Sequence, residues 1–265
     1  MNKNKTAIIV GAGAVENAWS PILQIVNPMV QGGADSDVAN CFFARMIYLL
    51  RAYSSQPDEK SVENLNYQFE LVKDLKILIS EFIRRYQTAG ILRPRKEFKE
   101  ILRKFVLTSN DNLWGLVSTN WDTVIDKYAD ELVKELYVDL KSVKCFHIHG
   151  SIDEPDHLYL PSEISQERYR STEDNDRHGY NHYATLKFLK EANQIILYGI
   201  SIDPLDAELS QILNSAFTKS TNLQEAIIIN PDFKRIRNRI KALLFPKHDL
   251  KVRCFVPENL EAEVQ

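Results

Sequence analysis

Six short runs of β-branched and other apolar residues punctuate the chain, at residues 7–10, 114–118, 143–148, 194–198, 226–229 and 251–255. Runs that are apolar at nearly every position, rather than every second one, belong to strands buried on both faces, as in a parallel sheet. Between them the period changes. Residues 122–136 bring Val124, Ile125, Tyr128, Leu132 and Val133 onto one helical face, and residues 206–217 do the same with Leu209, Ile212, Leu213 and Phe217. Strands alternating with helices predict an α/β fold: a Rossmann-like parallel sheet of about six strands with helices on both faces.

One interval breaks the alternation. From about residue 36 to residue 106 no run reads as a strand, while Leu65, Phe69, Val72, Ile79, Ile83 and Tyr86 recur three or four positions apart or at multiples of that spacing. Phe98, Ile101, Leu102 and Phe105 continue the pattern. This predicts a helical insertion after the first strand, within a single domain spanning residues 1–265. Residues 153–182 are polar and tyrosine-rich and predict an irregular flap beside a site.

The 265 residues, 44% of them hydrophobic, suffice for one large α/β domain. A net charge of −3 supplies no field toward nucleic acid or a membrane surface. The basic clusters at 93–104 and 234–241, with Phe98, Ile101 and Ile236 interleaved, are therefore read as solvated helix faces. Cys41, Cys145 and Cys254 lie too far apart for a disulfide framework or a metal-ligand spacing. With no apolar run approaching a membrane span, these features lead to the expectation of a soluble, cytoplasmic protein with no membrane partner.

In an open parallel sheet, ligands bind outside the carboxyl ends of the strands. Gly11-Ala12-Gly13-Ala14 follows the first strand and is either a tight turn or a cradle in which backbone amides approach a pyrophosphate. Asn120 and Asp122 follow the second, as helix caps or as ligands for a ribose. His149 ends the third, as a hydrogen-bonded structural residue or as a general base. His147, two positions earlier and so on the same face of a strand, makes a metal pair conceivable, but no third ligand is evident. Gly199 and Ser201 follow the fourth strand, and Asn230 and Asp232 the fifth, as turn and capping residues or as partners for ribose and adenine. No acidic residue ends a second strand about 20 residues after the glycines, which counts against hydride transfer; Asp35 and Asp37 precede a helix.

Taken in order, IIVGAGA at 8–14, STNWD at 118–122, HIHGS at 147–151, YGISIDP at 198–204 and IINPD at 228–232 resemble the sirtuin superfamily. They are most similar to the bacterial sirtuin-like domains that degrade NAD during phage infection. The resemblance implies a single NAD-binding domain in which Gly11, Ala12 and Gly13 contact the phosphates. Asn120 and Asp122 would hold the nicotinamide ribose, and His149 would be the catalytic histidine. Ser201 and Asn230 would hold the adenosine side, with Gly199 and Asp232 also among the NAD-binding residues. It also implies an NAD glycohydrolase releasing nicotinamide and ADP-ribose, with NAD as substrate rather than cofactor, and depletion of NAD in an abortive-infection response. Such an enzyme would be held in check by assembly into a homo-oligomer or by a separately encoded partner, such as an ATPase or an Argonaute-like protein. The alternatives are an NAD-dependent deacylase or ADP-ribosyltransferase, and a non-catalytic sensor of NAD or ADP-ribose.

Two departures weigh against deacylation. Deacylating sirtuins carry a four-cysteine zinc module, which three scattered cysteines cannot build, and His157, His178, His182 and His248 have no partner cysteines nearby in sequence. The expectation is therefore no metal. The arginine-bearing loop after the glycines is also missing, with Val15-Glu16-Asn17-Ala18-Trp19 in its place.

Overall fold

Isoleucine and valine at three consecutive positions, Ile8 to Val10, preceded by Ala7, form a strand with no exposed face: β1 (Lys5–Val10) is fully buried from Ala7 onward. Its side chains alternate between two cores. Ile8 and Val10 enter one, and Ala7 and Ile9 the other. The computed structural model describes residues 5–56, 58–107, 113–136, 143–244 and 249–264; His248 falls outside them.

Five further strands extend β1 into a parallel sheet: β4 (Leu113–Ser118), β5 (Cys145–His147), β6 (Gln194–Tyr198), β7 (Glu225–Ile229) and β8 (Lys251–Phe255). Their order is β5-β4-β1-β6-β7-β8, so the chain leaves β1 in one direction, then returns to build in the other. The arrangement is Rossmann-like, and the reversal between β1 and β6 is the place where such sheets bind ligands. All six predicted runs are strands; the third is shorter than its apolar run, ending at His147.

Helices cover both faces. On the first pack α1 (Ser20–Val26), α2 (Ser36–Ser54), α3 (Glu59–Thr88), α4 (Glu97–Ile101) with a π turn over Leu102–Val106, and α5 (Val124–Leu136). On the second pack α6 (Thr172–Lys190), α7 (Ala207–Lys219) and α8 (Phe233–Arg239). The helical insertion is thus α2 to α4. It also contains a two-residue strand, β3 (Arg93–Pro94), which pairs with β2 (Val15–Glu16) beside the glycine loop.

Two local expectations are corrected. The last third or so of the polar stretch expected to be irregular belongs to α6, started by the Ser171 hydroxyl accepting from the Asp174 amide. It buries only His178, Thr185 and Leu189, so no apolar stripe announces it. At the start of α5 the capping residue is Asp122, whose Oδ1 accepts from the Val124 amide at 3.0 Å. Asn120 lies outside that turn. No helix among the described residues is long and apolar enough to cross a membrane.

Candidate active site

The loops after β1 and β6 meet main chain to main chain. The Gly13 amide donates to the Gly199 carbonyl at 2.9 Å, and the Gly11 amide to the Tyr198 carbonyl at 3.1 Å. A Cβ on Gly13 would stand 2.8 Å from the Gly199 backbone, and one on Gly199 would stand 2.4 Å from the Ala14 nitrogen. Gly199 also has φ of +63°, so glycine is required there twice over. The turn that follows is a single 3₁₀ turn, Ala12–Ala14, rather than a long helix. The amides of Gly11, Gly13 and Ala14 are bonded within the protein, and that of Ala12 has no partner among the described residues. Ala12 is the loop position with a donor to offer.

This main-chain layer is the floor of a cavity of about 490 Å³, at the low end of the range for small-molecule sites. Asn120, Asp122, His149, Ser201, Ile202 and Asp206 line it. Trp19 and Asn40 come from the segments that cover it, and Arg235 and Arg239 from α8. Of the residues singled out in the sequence, Gly11, Ala12, Gly13, Asn120, Asp122, His149, Gly199 and Ser201 are brought together here. Asn230 and Asp232 do not line it. Asn230 donates to the Ile200 carbonyl at 3.0 Å and so holds the β6 loop, while Asp232 pairs with Arg235 at 2.7 Å. Two arginines read as solvated helix face, Arg235 and Arg239, instead line the cavity.

Asn120 is buried and its Nδ2 donates to the Gly11 carbonyl at 3.2 Å, tying the second strand end to the glycine loop. Asp122 is buried with no cation bonded to it among the described residues, and burial pushes its carboxyl up to about 6.

His149 is held from both sides. Its Nδ1 lies 3.0 Å from the Thr119 carbonyl and its Nε2 3.0 Å from Asp206 Oδ2. A carbonyl only accepts, so Nδ1 carries a proton; a carboxylate facing Nε2 then favours a second. Burial opposes that charge, but Asp206 and the carbonyl outweigh it and His149 is shifted up from its ordinary value. The geometry places a proton between His149 Nε2 and Asp206 Oδ2, so the two side chains face the cavity as one coupled acid–base pair. Asp206 also caps α7, its Oδ1 accepting from the Leu209 amide at 3.1 Å. The Tyr159 ring stacks on His149 with centroids 5.5 Å apart.

The loop carrying Ser201 is strained. Ile202, fully buried, has φ of +52°, a region that β-branched residues rarely enter. Arg239 restrains the bend, donating to the Ser201 and Ile202 carbonyls at 2.8 and 3.1 Å.

His147 and His149 do not share a face. β5 ends at His147, the chain turns, and the two rings diverge toward Asp126 of α5 and Asp206 before α7. The His147–His149 pair is thereby dissolved, and His147 instead joins Asp126 and Cys145, the ligating atoms of these three lying within 4.8 Å of one another. Sequence reading also missed Asp206, Trp19 and Tyr159. The aspartate carried a signal, as an acidic residue just past the fourth strand end, but a cap accounts for it equally well. No model of a known family and no curated protein matches the chain.

Proposed function

We propose that the cavity binds NAD and hydrolyses its nicotinamide–ribose bond. The observation that carries this reading is the convergence of Asn120, Asp122 and the His149–Asp206 pair on one cavity at the sheet's reversal point. The reading rests also on the motif resemblance to sirtuin-like NAD hydrolases.

In this mechanism the C1′–N bond breaks and its electron pair leaves with nicotinamide, leaving an oxocarbenium-like ribose. A water forms the new C1′–O bond, and its proton passes to a general base. The His149–Asp206 pair receives it, the carboxylate sharing the proton with the imidazole. Asn120 orients ribose and water, and the ionised Asp122 stabilises the positive ribose. The Ala12 amide and the α8 arginines serve the phosphates.

One observation favours a second reading. Both His149 nitrogens are engaged, as in a structural histidine, which fits a sensor that binds NAD or ADP-ribose without cleaving it. Incubating the purified chain with NAD, with and without an acyl-lysine peptide, decides. Free nicotinamide without peptide supports hydrolysis. Binding without turnover supports the sensor, and turnover only with peptide supports a deacylase.

The resemblance extends the proposal to NAD depletion during phage infection. An unregulated NAD hydrolase poisons its own cell, so control falls to assembly with further copies of the chain or to a separately encoded partner. The helical insertion is the surface proposed for that contact, since Tyr48 and Tyr67 stand exposed on α2 and α3. Light scattering across a concentration series tests it; a monomer fully active without a partner would refute it.

A further inference from the structure

At the edge of the sheet, outside the cavity, three side chains of different chemistry converge. Cys145 and His147 are two positions apart on β5 and so project to the same side. Asp126 reaches them from the first turn of α5. Its Oδ1 lies 3.2 Å from Cys145 Sγ and its Oδ2 2.5 Å from His147 Nε2. We propose that Asp126, Cys145 and His147 form a binding site for a divalent metal of the zinc class, whose occupancy braces the Asn120 turn.

Four features support the assignment. The donor set is one sulfur, one imidazole nitrogen and one carboxylate, the mixture that zinc accepts and that magnesium and calcium do not. The far nitrogen of the ring is already oriented: Nδ1 lies 3.1 Å from the Asn120 carbonyl, so it donates there and turns Nε2 toward the cluster. Metal-bound histidines are held in this way by a carbonyl or carboxylate behind them. The charges also close, because a thiolate, a carboxylate and a neutral imidazole together neutralise a dication. Finally, β5 is the edge strand, and His147 and Asp126 are 15% and 22% exposed. An ion therefore has a path in, and a water can complete four-coordination.

Without metal the same atoms form a hydrogen-bonded triad, with a proton on sulfur and a proton between His147 and Asp126. Metal entry releases both protons, M²⁺ replacing two H⁺, with no change of oxidation state. Ligating atoms about 2.0 Å from one ion stand ~3.3 Å apart in a tetrahedron, so His147 and Asp126 separate by under about 1 Å. The Asn120 carbonyl, bonded to a metal-polarised imidazole, is then held more tightly than in the triad.

The test is cobalt(II) titration of the intact chain after chelation and dialysis. The site predicts one saturating equivalent and a thiolate-to-cobalt charge-transfer band, with intense visible bands marking four-coordination. It also predicts release of about two protons per metal when both triad protons are present, competition by zinc, and no charge-transfer band in Cys145→Ser. His147→Ala should weaken binding by roughly a hundredfold. Absence of a saturating band overturns the site, as does a band unchanged in Cys145→Ser, which would place the thiolate at Cys41 or Cys254. If Cys145→Ser fails to fold, Asp126→Asn, close to isosteric, must lower cobalt affinity at least tenfold; unchanged affinity overturns the site. NAD takes no part in the titration, so its outcome is separate from that of the cavity reading.

Discussion

Asp206 Oδ2 lies 3.0 Å from His149 Nε2, so an acid just ahead of α7 and a histidine just after β5 form one half-buried pair in the cavity wall. The two residues are far apart in sequence and neither is free to change alone. Asparagine caps a helix as well as aspartate does, so Asp206→Asn should fold normally. It removes the lone pairs and charge that carry proton transfer. NAD cleavage should drop by roughly a hundredfold or more in Asp206→Asn and in His149→Ala, the scale of losing a positioned acid–base group. In Asp206→Asn the His149 imidazole should also titrate lower, read by NMR. Two fully active variants would remove the pair from the mechanism.

Asp122 makes stability and activity pull apart. Its carboxyl is raised to about 6 by burial, against 3.8 as an ordinary aspartate. The folded state therefore holds this proton more tightly than the unfolded one. The associated stability is present below pH 3.8, is lost as pH rises toward about 6, and stays lost above it. Asp122→Asn keeps an oxygen for the Val124 amide and removes the buried charge. It should gain on the order of 1–3 kcal/mol at pH 8 and nearly nothing at pH 4, while cleavage falls at least tenfold. Denaturant melts at the two pH values check this; an equal effect at both would disprove the buried-charge account.

The opposite sign applies to Glu163. Burial alone would raise its carboxyl, but Lys76 at 3.2 Å and Arg170 at 2.7 Å outweigh burial and hold it at about 2. Its contribution is present above pH 4.5 and is lost as pH falls through about 2. This cluster joins α3 to the segment after β5, so acid should loosen that segment first. Lys76→Met should cost on the order of 3 kcal/mol by leaving the buried glutamate under-compensated. Hydrogen exchange near residues 158–170 should rise as the pH is lowered. Uniform exchange across the sheet and this segment would count against the prediction.

Gly199→Ala combines a φ of +63° with a Cβ 2.4 Å from backbone. It should cost about 1–3 kcal/mol or more and weaken NAD binding in any soluble variant, because the Gly13 contact must open. Thermal melts and calorimetry measure both; normal stability and affinity would mean that the loops part without penalty.

The sheet was legible because parallel strands buried on both faces have almost no polar positions, and a run as short and β-branched as Ile195 to Tyr198 favours strand over helix. The helix α6 was not, since its stability comes from a serine cap and scattered polar contacts rather than an apolar stripe. At the site, residues directly following strands, such as Asn120 and His149, were visible from position alone. Asp206 was hidden by doing two jobs: one oxygen caps a helix, and the sequence accounts for that one only. The Asp126–Cys145–His147 cluster was hidden because β5 and α5 meet through packing, which no spacing along the chain records.

The floor of the cavity is main chain bonded to main chain at Gly13 and Gly199, and a floor of that kind has no side chains to vary. Selection for a different ligand therefore has nothing to work on there: enlarging it is impossible and filling it breaks the sheet's centre. Change is confined to the walls, at Trp19, Asn40, Ser201 and Arg235. Descendants of this sequence would therefore diverge in what they recognise while keeping the same two loops, one glycine against another.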